Sequence, residues 1–458
     1  MTDNVISRNP TTGEIIATYP LQNAAELEAA LETSADAFAQ WRATSMAQRV
    51  IVLRQLAEQI RQRQDQLAEM ATLEMGKPIA QARAEVLKCA NLCDWYAEQG
   101  PAMLADKPTL VENQQAWQSF RPLGVILAVM PWNFPYWQVL RGAVSMLLAG
   151  NTYVLKHAPS VMGAAHLMTE LFDATDLPKG GFTVINVDND GVSAAIKDPR
   201  IAAVAVTGSV RAGGAIAAQA GAVLKKTVLE LGGADPFIVL ADADLDAAVA
   251  SAVTGRYQNT GQVCMAAKRF IIEESVAEAF EARFSAAVQA LKIGDPLNEE
   301  TYIGPMARYD LRDELDHQVQ QTIKQGARLV IGGHKIDGVG NYYAPTILAD
   351  VTPDMIAFQQ EIFGPVAAIT IARDAQHALE LANDSEFGLS ATVWSGNEAV
   401  ANELAEKLET GAVFINGNGA SDPRVAIGGV KKSGYGRELS SFGVHEFCNI
   451  QTVWKNRR

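Results

Sequence analysis

Cysteine is scarce, four residues in a chain of 458. So few cannot build a disulfide scaffold at this length, so a reducing cytoplasm is the expected location. Cys89 and Cys93 lie one helical turn apart, but no histidine or further cysteine nearby completes a metal set. They read as two buried thiols on one helix face, and no metal is expected. Basic residues are also short, 38 against 52 acidic, for a net charge of −14. That balance argues against non-specific binding to nucleic acid or an anionic membrane, and an anionic substrate would need locally placed arginines. No apolar run reaches the roughly 18 residues of a membrane span. Met1-Thr2-Asp3-Asn4 lacks the basic region and apolar stretch of a secretory leader, so neither membrane insertion nor export is expected. There is no internal repeat, no low-complexity segment and no G-x-G-x-x-G.

What is present is an ordinary globular balance, 48% hydrophobic and 20% charged, in a chain long enough for two or three domains. Residues 5–20 read as a strand pair around the turn Pro10-Thr11-Thr12-Gly13. Helical stretches follow at about 24–40, 44–73 and 78–99, the second with Val50, Leu53, Leu56, Ile60 and Leu67 as a core-facing stripe. From residue 116 strands and helices alternate through about 220, and the alternation restarts at 236 after Leu231-Gly232-Gly233. Short buried strands alternating with helices indicate parallel sheets covered on both faces, which bind ligands at the carboxyl ends of their strands. The apolar tail around Asn449–Trp454 reads as a terminal strand of the kind that pairs with another subunit.

Several residues sit where chemistry is done, each with a plainer reading beside it. Cys264 follows the turn glycine Gly261 closely and precedes a strand, a placement that can expose a thiolate nucleophile to backbone N–H groups; alone, such a cysteine is more often a small core hydrophobe. Asn133, in the rigid loop Pro131-Trp132-Asn133-Phe134-Pro135, offers an amide N–H to an oxyanion or bonds its own turn. Glu230, at a strand end before two glycines, is a general base or a surface carboxylate. Lys156 closes another strand at the sheet edge where phosphate or ribose would sit. Gly208-Ser209 opens a helix, as an anion cradle or only a cap. Glu361 and Phe363 flank a turn at Gly364-Pro365.

In this order and spacing, together with Gly428-Gly429-Val430-Lys431-Lys432-Ser433-Gly434, these motifs make the whole chain resemble the aldehyde dehydrogenase superfamily. The resemblance implies an α/β fold: a Rossmann-like NAD(P) domain (1–103 and 122–231), a catalytic α/β domain (232–430) and a small β oligomerisation element (104–121 and 431–458). It implies that the Cys264 thiolate attacks an aldehyde while Asn133 and the Cys264 N–H hold the oxyanion. Hydride then passes to the nicotinamide, and Glu230 activates water to hydrolyse the thioester. Lys156 and Glu361 would hold the two riboses, Gly208 and Ser209 the pyrophosphate, with Trp132 lining the cofactor site and Phe363 near the nicotinamide. Relatives that acylate coenzyme A lack a glutamate at the position of Glu230, so hydrolysis is expected.

NAD-selective members often carry a glutamate three residues after the lysine; here Pro159 stands there, so NADP is not repelled and both NAD and NADP are expected. The stretch Asn259–Phe270 and Gly434-Tyr435-Gly436-Arg437-Glu438-Leu439 are most similar to bacterial succinate-semialdehyde dehydrogenases of a short form. A distal carboxylate calls for arginine. Arg141, eight residues after Asn133, matches one family arginine, but the other is replaced by Gln258. Arg256 or Arg424 are the candidates to substitute, Arg256 reading equally as a surface salt-bridge residue, and Ser421 matches a carboxylate-binding serine among divergent neighbours. The missing arginine leaves room for a longer semialdehyde. Met265 and Ala266 follow Cys264, so no disulfide regulation is expected there. The competing expectations are a general aliphatic or aromatic aldehyde dehydrogenase and a silent binding protein of the same fold. A homodimer or homotetramer is expected.

Overall fold

The computed structural model describes residues 4–112 and 114–456, so the reading of the N-terminal tetrapeptide falls mostly on residues 1–3, outside the described residues. Asn4–Arg8 and Ile15–Pro20 form the expected antiparallel pair. The helical stretch read as 44–73 is two helices, Met46–Gln62 and Gln64–Met75, broken at Arg63, whose ψ of 19° leaves the helical well. Leu53, Leu56, Ile60 and Leu67 are buried as the periodicity requires, and Val50 is partly so. Cys89 and Cys93 are buried in the helix Ile79–Met103. Among the described residues no helix is long and apolar enough to cross a membrane.

Two larger sheets carry the architecture. The first runs in the order Gly434–Tyr435, Lys226–Glu230, Ile201–Thr207, Val125–Val129, Thr152–Lys156, Phe182–Val184, and is parallel apart from the first pair. Register aligns its carboxyl ends: Val129 faces both Lys156 and Val206, and Thr207 faces Glu230. The loop 131–135, Lys156, Gly208-Ser209 and Glu230 therefore leave the sheet along one edge, where a parallel sheet is open to ligands. The second sheet has seven strands, Arg328–Ile331, Thr346–Ala349, Val366–Ala372, Ala267–Glu273, Asp235–Val239, Ser390–Trp394 and Ala412–Ile415 in spatial order. Here the geometry departs from the expectation that ligands sit at carboxyl ends. Cys264 and the Glu361–Pro365 turn precede the strands Ala267–Glu273 and Val366–Ala372, so the second sheet meets the site with its amino edge.

The third sheet is antiparallel, with Gln114–Pro122 between Cys448–Lys455 and Lys107–Val111. Of residues 431–458 only that last strand joins it. Val430–Lys431 pairs with Phe387–Gly388, and Gly434–Tyr435 extends the first sheet. The helix Ser440–Glu446 lies on the helices Ile79–Met103 and Trp137–Ala149.

Candidate active site

Where the two large sheets face each other lies a cleft of about 640 Å³. Trp132, Asn133, Gly208, Ser209, Glu230, Cys264, Glu361 and Phe363 line it. Residues from five separate stretches of sequence thus converge on one space.

The turn that leads into Cys264 is built under strain. Asn259, Thr260 and Gly261 all take left-handed backbone, with φ of 53°, 55° and 72°. Two of the three bear side chains, which costs on the order of 1–2 kcal/mol apiece unless the surroundings fix them. They are fixed: the Asn259 N–H donates to Gln81 Oε1 at 2.7 Å, and its amide Nδ2 to the Asn133 carbonyl at 2.8 Å. A Cβ on Gly261 would lie 2.2 Å from the Gly364 carbonyl, so only glycine fits there. Beyond the turn, the buried ammonium of Lys268 donates to the Cys264 carbonyl at 2.6 Å and to that of Val263 at 3.1 Å. Asn133 Nδ2 donates to the Gln262 carbonyl at 3.0 Å, which orients the amide and leaves its second N–H for another acceptor.

Electrostatics separate the two reactive groups. Burial pushes the Cys264 thiol up to about 11, opposed by the positive charges of Arg141 and Lys268. Glu230 is buried, its Oε1 has no hydrogen-bond partner, and burial pushes its carboxyl up to about 8 against the pull of Arg141. An unpartnered carboxyl with a proton to exchange near neutrality is what general-base chemistry requires.

The rest of the cleft suits a dinucleotide. A Cβ on Gly208 would meet nothing within 4 Å, so the backbone there is open to a ligand. Ser209 caps the thirteen-residue helix Val210–Ala222 by accepting from the Ala212 N–H at 3.3 Å, and the helix start faces the cleft. Trp132 and Phe363 meet edge to face at 5.8 Å and form an aromatic wall. Glu361 Oε1 accepts from the Gly233 N–H at 3.1 Å and lies 3.6 Å from Lys268 Nζ. Lys156 ends its strand at the same sheet edge without lining the cleft, and burial lowers its pKa.

The residues expected to bind a substrate carboxylate divide. Arg141 is buried behind Glu230, where it pairs with Glu438 and donates to Thr207 Oγ1 at 3.3 Å. Ser421 Oγ accepts from Lys88 Nζ at 2.7 Å. Two expectations need correction. Arg256 is neither at the surface nor free for a substrate: its guanidinium is fully buried and donates to the carbonyls of Gly261, Ile362, Gly364 and Ala267, tying the nucleophile turn to the Glu361–Pro365 turn. Arg424 is exposed and holds Asp422 with two hydrogen bonds of 2.8 Å. Sequence reasoning assigned no role to Lys268, Glu438 or Lys88. The first two lie inside the stretches Asn259–Phe270 and Gly434–Leu439; Lys88 carries no local signal beyond an ordinary helix lysine.

These groups bring a cysteine, a glutamate and an asparagine into one cleft beside a helix start. The aldehyde dehydrogenase family model matches residues 2–453, and the chain belongs to that family. It is 65% identical over 454 residues, 99% of this chain and 98% of the relative, to succinate semialdehyde dehydrogenase (NAD(P)+) Sad of Escherichia coli strain K12. It is 47% identical over 446 residues, 97% of this chain and 98% of the relative, to the probable succinate-semialdehyde dehydrogenase (NADP+) of Synechocystis. Among solved structures, the succinic semialdehyde dehydrogenase of Streptococcus pyogenes in complex with NADP+ superposes with a TM-score of 0.96 at 38% identity, covering 98% of this chain and 99% of that one.

Proposed function

We propose that the protein oxidises succinate semialdehyde to succinate with NAD or NADP. The observation that carries the chemistry is the meeting of Cys264, Glu230 and Asn133 in one cleft with the helix start at Ser209. The Cys264 thiolate adds to the aldehyde carbon, and the alkoxide formed accepts from the free N–H of Asn133 and the Cys264 main-chain N–H. When bound, the nicotinamide supplies the hydride acceptor, leaving a thioester on Cys264. Glu230 takes a proton from water as the oxygen attacks that thioester, and the acid leaves with the thiolate restored. Gly208, Ser209, Trp132, Phe363, Glu361 and Lys156 are the groups proposed to hold the cofactor. Pro159, at the start of the 3-10 turn Pro159–Val161, puts no carboxylate beside the ribose, which supports use of both cofactors.

The substrate rests on the relatives' names and on Arg141 near the nucleophile. We place the protein in the cytoplasm, as four free cysteines suggest, and assign the three-stranded sheet to oligomer formation. The test is reduced-cofactor formation from succinate semialdehyde, with NAD and NADP in parallel and butanal as the uncharged control. A strong preference for the semialdehyde is expected. Equal rates on both aldehydes would leave a general aldehyde dehydrogenase.

A further inference from the structure

The arginines expected to meet a substrate carboxylate are engaged elsewhere. Arg141 has Glu438, Arg424 has Asp422, and Arg256 is spent on main-chain carbonyls. Lys88 differs. It is half-buried on the helix Ile79–Met103 and forms no ion pair among the described residues. Its ammonium rests on the ring of Trp137, 3.9 Å from the centroid, and donates to Ser421 Oγ at 2.7 Å. A half-buried cation held only by a hydroxyl and an aromatic face has its desolvation largely uncompensated, which favours an anion that arrives from outside.

Its position fits the distal end of an extended substrate. Trp137 and Arg141 are four apart on one helix, so they share a face. The loop bearing Ser421 lies against the residue after the nucleophile: a Cβ on Gly419 would sit 3.2 Å from the Met265 carbonyl. Neither Lys88, Trp137 nor Ser421 lines the cofactor cleft. Arg141 lies close enough to both Lys88 and Cys264 for its charge to act on each.

We propose that Lys88, oriented by Ser421 and Trp137, is a cationic anchor for the substrate's distal carboxylate and so a specificity-determining residue. This rests on the carboxylate-bearing substrate proposed above. Burial lowers the Lys88 ammonium to about 8, with Arg141 on the neighbouring helix adding to that and Glu85, Cys89 and Asp422 opposing it.

The experiment measures kcat/KM for succinate semialdehyde and for butanal in the wild-type holoenzyme, Lys88→Met and Lys88→Arg. The ratio of the two is expected to fall about 10- to 100-fold in Lys88→Met, mostly through KM, the size of one lost charge-assisted hydrogen bond. Lys88→Arg should restore most of it. In the wild type the ratio should also decline as pH rises through about 8 and the ammonium loses its proton. That profile stands even if Lys88→Met does not fold. A wild type without preference for the semialdehyde overturns the substrate reading and this inference with it. A preference that survives Lys88→Met, or a ratio flat through that pH range, overturns the assignment of Lys88 alone.

Discussion

Glu230 and Cys264 face the same cleft, yet their surroundings ask opposite things of them. The carboxyl must lose its proton to work as a base, and burial holds that proton up to about pH 8. The deprotonated fraction therefore grows as pH rises, and kcat should increase through that region wherever thioester hydrolysis limits turnover. Glu230→Gln keeps the shape and removes the base. A single burst of reduced cofactor should appear, followed by a steady rate lower by roughly 10²- to 10⁴-fold. A variant with no burst would show that Glu230 acts earlier than hydrolysis. The thiol depends instead on positive charge behind it. Lys268→Met removes an ammonium that holds the Cys264 carbonyl and opposes the rise in the thiol's pKa, leaving Arg141 against Glu361 and Glu230. The pH midpoint of Cys264 alkylation by iodoacetamide should move upward by about one pH unit. A lysine that only braced the loop would change the rate and leave the midpoint where it was.

At the scale of the element, the loop that presents Asn133 is anchored by a carboxylate from a different helix. Glu85 Oε1 accepts from the N–H groups of Tyr136 and Trp137 at 2.9 and 3.0 Å, two donors that the start of the helix Trp137–Ala149 would otherwise leave unpaired. Its other oxygen pairs with Lys77, which lies over the Phe134 ring at 3.7 Å, and both side chains are buried. Glu85→Ala strands a buried ammonium and two N–H groups, so denaturant unfolding should show a loss of about 3–5 kcal/mol. Glu85→Gln, which keeps an acceptor, should cost less, and a loss equal to that of alanine would count against this account. The contrast also explains what the sequence could reveal. Pro131–Pro135, Gly208-Ser209, Glu230–Gly233 and Gly261–Cys264 are legible because each does its work within a few consecutive residues, through a turn, a strand end or a helix start. Lys77, Glu85, Lys88 and Glu438 act across 50 to more than 300 residues of chain in contacts such as Glu85 to Tyr136 and Lys88 to Ser421, which no local pattern announces. Arg256 was misread for the same reason: its burial comes from the turns at 261 and 364 closing on it, not from its own neighbours.

For the molecule as a whole, alternation of strand and helix announced parallel sheets, but not that the second would meet the site with its amino edge. That follows from two sheets facing each other across one cleft, an arrangement that period and composition do not encode. The same limit applies at the C-terminus, where Gly434–Tyr435 returns to the first large sheet and Cys448–Lys455 departs to pair with Gln114–Pro122. That strand lies at the edge of a sheet whose faces carry exposed apolar side chains. Ile450 and Trp454 face the same way as their partners Phe120 and Ala116, while Leu110, opposite Gln115, points to the other face. An unpaired edge with exposed tryptophan and isoleucine would be an aggregation hazard for a monomer and is well suited to a second copy of this chain. Light scattering on the purified protein should therefore give a dimer or tetramer, and the double variant Ile450→Glu with Trp454→Glu should shift it toward monomer. The residues of the cleft lie on the two large sheets and not on this one, so the released monomer should still bind NADP. Loss of cofactor binding together with assembly would instead mean that the C-terminal strand supports the cleft itself.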